Sequence, residues 1–153
     1  MAPGCRHDCI TGAIVLATLF LALIYATFIS LGLPDSLLGA SWPIMQPELG
    51  VPYSLAGVIS MVVAGGTIVS SFSSGYLIRQ FGAGAVTRVS VALTAVALFG
   101  FSQAPSLGWL LVMAIPLGLG AGAVDAALNH FVATHYQAHH MNWLHCFWGV
   151  GVM

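Results

Sequence analysis

The sequence predicts an all-α protein embedded in a membrane, and three observations carry that prediction. Only 5% of its 153 residues are charged, against roughly 25% in a soluble domain. Hydrophobic residues make up 59%, and the mean hydropathy is +0.98. The apolar residues fall in long runs broken by short turns rich in Gly, Pro and polar side chains. A surface so poor in charge cannot face water, so the lipid bilayer is the expected surrounding. There is no Lys, and Arg occurs only at positions 6, 79 and 88. That leaves no basic patch, and nucleic acid is not expected as a partner.

Taken in order, residues 1–9 read as a short cytoplasmic tail and 10–153 as a partial amino-terminal transmembrane bundle. A span needs about 20 apolar residues. The first run is longer, near 12–40, so it is expected to be tilted, or broken near Gly32-Leu33-Pro34. A loop with Trp42-Pro43 and Gln46 to Pro52 follows, with Trp42 suited to an interfacial belt. The second span is expected near 54–78. Its Gly66, Ser70 and Ser74 recur at steps of four, a spacing for close helix packing. The third and fourth are expected near 85–101 and 107–134, and residues 135–141 read as a polar turn. A fifth stretch starts near 142 and is cut at 153, so the chain reads as a fragment of a larger bundle. Arg6, Arg79 and Arg88 fall on one side if the spans alternate, which predicts a cytoplasmic amino terminus.

Two acids stand inside these apolar runs. Asp125 interrupts the fourth span and Asp35 follows Pro34 in the first. A charge in lipid is costly, so an intramembrane acid is expected to face a cavity or a partner. Asp125 lies about 27 Å along its helix from Leu107, in the cytoplasmic half, and Asp35 lies toward the outer half. At these two depths they can line one polar cavity. Burial disfavours the charged form of a carboxylate, so an acid that is neutral when occluded and ionised when wet can couple protons to a conformational change. Asp35 can also simply mark the end of its helix, and Asp125 can bond a neighbouring hydroxyl. Asn129 follows Asp125 by one turn on the same face; it suits sugar hydroxyls and helix–helix bonding equally.

Other features have competing readings. Gly118, Gly120 and Gly122 superficially match a phosphate loop, but they lie inside an apolar span with no strand before them and no Lys after. Close packing is their expected role. Cys5 and Cys9 bracket Arg-His-Asp, a weak metal spacing. His135-x-x-x-His139-His140 resembles one histidine box of the membrane desaturases, and His130 and His145 could add ligands. A second box is absent, so the expected role is a polar turn, and the expected metal set is none. No cofactor is predicted. Trp143 suits the interface, and Phe147 and Trp148 can offer an apolar face to a sugar ring.

The stretch from about Gly12 to Gly151 resembles the amino-terminal half of a major facilitator superfamily transporter, and within it the fucose-permease-like sugar–proton symporters. Leu33-Pro34-Asp35 with LLGASWPIM is similar to the first-helix acid segment. GLGAGAVDAALN, Gly118 to Asn129, resembles the fourth-helix motif. His140-Met141-Asn142-Trp143, leading to Phe147-Trp148-Gly149-Val150-Gly151, is similar to the entry into the fifth helix. The resemblance implies a non-enzymatic secondary transporter working by alternating access, with Asp35 and Asp125 serving proton coupling and sugar binding. Asn129, Phe147 and Trp148 are then candidate solute ligands. It also implies a multi-pass protein of the bacterial inner (plasma) membrane, whose partners are protons, a small polar solute and the remainder of a bundle of about twelve helices. Two departures stand out. Asp125 occupies a position where the family usually carries glutamate, and Arg79 stands where the turn between spans 2 and 3 usually carries aspartate. The alternatives are a membrane metalloenzyme using the histidine cluster, or a small helical membrane assembly protein.

Overall fold

A computed structural model describes the backbone of residues 4–153 and the side chains from Val15 onward. The chain forms five helices: α1 (Gly4–Leu49), α2 (Leu55–Phe81), α3 (Ala83–Ser102), α4 (Leu107–His135) and α5 (Ala138–Val152). Among the described residues there is no strand. The first four helices are each long and apolar enough to cross a membrane. Leu16, Met61, Phe72, Val96 and Phe99 point outward, exposed, as a lipid-facing surface requires. The molecule is a multi-pass, all-helical integral membrane protein.

The turns are shorter than the sequence predicts. No break falls at Pro34, and α1 runs on through Pro43 and Pro47 to Leu49. The expected loop from Trp42 shrinks to the turn after Gly50. The reason is Trp42 itself. Its ring is 1% exposed, packed with Ile59 of α2 and with Leu110 and Ala114 of α4. Its Nε1 donates to the Tyr53 carbonyl at 2.9 Å. That packing holds the extension against the helix and replaces the interfacial role expected for Trp42. Between α2 and α3 a single glycine suffices: Gly82 has φ 83°, a conformation that costs other residues energy. Likewise α5 begins at Ala138, so His139 and His140 sit in its first turn rather than in a loop. The Cys5/Cys9 reading rests on side chains outside the described residues.

Packing follows the small residues. Helices α2 and α3 both lie along α4, while α1 lies along α5; the two groups meet in a lighter seam. Gly66 of α2 meets Gly118 backbone to backbone, and Gly122 lies against Thr67. Ser70 donates to the Leu119 carbonyl at 2.5 Å. The spacing that predicted close packing produces it here, because only hydrogen or a short hydroxyl fits between the helices.

Two apolar clusters close the seam at its ends. Trp42, Ile59, Leu110 and Ala114 form one. Ile24, Phe28, Val132 and Leu144 form the other. Asp35 lies seven residues from both Phe28 and Trp42, about 10 Å along the helix from each. It sits midway between the two apolar plugs.

Candidate functional site

Between those plugs lies a cavity of about 310 Å³. Four helices line it. From α1 come Pro34 and Asp35, from α2 Val63 and Thr67, from α4 Leu117 and Asp125, and from α5 His145 and Trp148. The volume falls at the small end of the range for ligand pockets, roughly 300–1,000 Å³. A second cavity of about 420 Å³ adjoins it along Pro34, Asp35, Val63 and Thr67. Asp35 therefore fronts both. No Lys or Arg appears among the lining residues of either.

The two acids come from opposite sides of the seam, α1 and α4, and share this space. The difference in depth read from the sequence does not separate them. Asp35 is exposed and Asp125 half-buried. Asp125 has a fixed partner: Asn129 Nδ2 donates to its Oδ1 at 3.1 Å. The other end of the carboxamide, Asn129 Oδ1, is buried without a hydrogen-bond partner. Asn129 is not among the lining residues, so its contact with the cavity runs through the acid it holds.

The remaining candidates divide. Trp148 lines the cavity. Phe147, one residue earlier, points instead into the α1/α5 contact and stacks on Tyr25 with ring centroids 4.7 Å apart. A helix turns about 100° per residue, and here that rotation puts Trp148 at the cavity and Phe147 on the contact with α1. Thr67 is placed at the wall, but its hydroxyl donates to the Val63 and Gly118 carbonyls at 3.0 and 3.3 Å.

The histidine box does not assemble. His135 stacks on Phe131 and bonds Thr134 and the Phe131 carbonyl. His140 Nδ1 shares a 2.6 Å hydrogen bond with the Tyr25 hydroxyl. Among the described residues no group of three or more His, Cys, Asp or Glu converges as a metal site.

Sequence reasoning missed the place of His145, which was counted with the histidine cluster. One signal was present: His145 precedes Trp148 by three, so both share a helical face. That face meets α4 at Asp125.

Over 91 residues the chain is 32% identical to an uncharacterised MFS-type transporter of Mycobacterium tuberculosis strain CDC 1551 / Oshkosh. It matches one of strain H37Rv to the same degree. The similarity spans 60% of this chain and only 20% of each relative. No family model matches the chain, and no solved structure does. The likeness is thus to membrane transporters.

Proposed function

We propose that this chain is part of a secondary transporter that moves a sugar or similar small polar solute together with protons, by alternating access. The single observation that supports it most is the shared cavity: carboxylates from two separate helices face one space, between apolar plugs, with an indole beside them. Asp35 and Asp125 are the proton and solute carboxylates. Each is cheap to bury when protonated and costly when ionised, so wetting and drying of the cavity drives proton exchange. Trp148 offers its face to a sugar ring, and Asn129 orients Asp125. The similarity to transporters in Mycobacterium tuberculosis supports the class. Further helices would cover the open side of the cavity, in the manner of two halves enclosing a midplane site.

The test is uptake by the protein expressed from its whole gene. Inverted vesicles or proteoliposomes are given a panel of radiolabelled monosaccharides and polyols under an imposed proton gradient. At least one should accumulate uphill with measurable proton movement. Asp125→Asn should abolish accumulation, lowering it at least tenfold, while leaving some downhill exchange. Uphill uptake that survives Asp125→Asn unchanged removes the acid from the mechanism. A panel that never moves with protons removes sugar–proton symport.

A further inference from the structure

His145 remains unexplained by two carboxylates and an indole. It projects from α5 into the same cavity as Asp125, near enough for the two to interact electrostatically. Its ring is held edge-on against Phe28 of α1, with centroids 6.3 Å apart. The groups around it come from every wall. From α1 there is Asp35, from α4 there is Asp125 with Asn129 behind it, and from α2 there is no titratable group, only Thr67. On α5 itself Trp148 shares the face. Imidazole is therefore the one lining group that becomes positive on taking a proton.

Building on the carrier reading above, we infer that His145 is a proton-accepting member of the solute site and works as a pair with Asp125. When the Asp125 carboxyl gives up its proton, the imidazole takes it, directly or through water in the cavity. The carboxyl becomes carboxylate and the imidazole becomes imidazolium. The net charge of the pair is unchanged, so the cavity need not bury a bare carboxylate at that moment. The imidazolium releases the proton to whichever side the cavity opens. Solute hydroxyls compete for the same carboxylate, so solute binding and the proton's position are linked. Placement on α5, across the cavity from α4, makes the exchange sensitive to movement of that helix.

Two measurements on the whole protein test this. The first needs no solute. Diethyl pyrocarbonate modifies neutral imidazole, and mass spectrometry reads the modification at His145. At about pH 6.5, Asp125→Asn should change the His145 modification rate at least threefold, while Asp125→Glu keeps the wild-type rate. An equal rate in wild type and Asp125→Asn shows that the two groups do not sense each other and overturns the pairing. The second measures uptake of the accumulating monosaccharide between about pH 5 and 8. His145→Gln should change the shape of the profile and lower the rate more than the half-saturating concentration. A profile of unchanged shape in His145→Gln overturns the role. If no panel sugar moves with protons in wild type, the carrier reading fails, while the modification experiment still decides the pairing.

Discussion

Two helix contacts deliver the acids, and they are built differently. In the α2/α4 contact, Gly66 faces Gly118, Gly122 abuts Thr67, and Asp125 follows Gly122 by three. In the α1/α5 contact, Gly32 abuts the backbone of Trp148 to Val152, Gly151 abuts Ile29, and Asp35 follows Gly32 by three. Each acid is thus set one turn beyond a glycine where two backbones touch. The glue differs. Across α2/α4, hydroxyls of Thr67, Ser70 and Ser71 reach carbonyls of Gly118, Leu119 and Gly122. Across α1/α5, among the described residues, one such bond is present, Ser36 to Gly151 at 3.4 Å, beside aromatic packing around Tyr25, Phe147 and His140. Short hydroxyls fix a distance and a register, whereas rings can slide and repack. The first contact is a rigid joint and the second an adaptable one.

Breaking the backbone contacts gives the largest effect. Gly118→Leu drives a side chain into the Val63 carbonyl and the Gly66 backbone, and α4 is wedged between α2 and α3 with nowhere to retreat. Overpacking there should cost about 3 kcal/mol, read as a lower unfolding midpoint in detergent. Gly151→Leu meets the Ile29 backbone, but α5 leans chiefly on α1 and can move as a body, so about 1–2 kcal/mol is expected. Equal losses at the two glycines would erase the distinction between the joints. Gly65→Ala, which faces open space beside Gly66, is the control without a clash and should not lower the midpoint.

Next comes Tyr25→Phe, which deletes the hydroxyl bonded to His140 and keeps the ring on Phe147. It should cost about 1 kcal/mol, with the exchange protection of α5 amides falling and that of α4 holding. Smallest is Ser70→Ala, which removes one cross-helix bond among three. A loss of about 0.6 kcal/mol is expected, checked by the same unfolding midpoint.

Much of this was legible in the residues. Apolar run length marked the helices, and the step of four at Gly66, Ser70 and Ser74 marked the α2 contact. Asp35 and Asp125 stood out because so few charges surround them. The misplaced features share a cause: a local signal was overruled by a distant partner. Pro43 and Pro47 announce a loop, yet Trp42 is clamped between α2 and α4 and carries the helix past them. Phe147 and Trp148 look alike in sequence, and only the direction of α5 against α1 separates wall from packing. His145 was hidden among its neighbours because composition counts histidines without saying which face they occupy.

One consequence remains in the length of α1. Its apolar span, Val15–Leu49, has 35 residues and is about 52 Å long at 1.5 Å each, against a hydrocarbon thickness of about 30 Å. Some 20 Å of rod must therefore emerge or lean. Proline lacks an amide hydrogen, so Pro43 and Pro47 free the carbonyls four residues earlier, at Gly39 and Pro43. Headgroup water reaches those oxygens if this end emerges. A spin label at Glu48 would then report from the aqueous phase on a shaft whose middle carries Asp35, so tilting of the acid can be followed without touching the cavity.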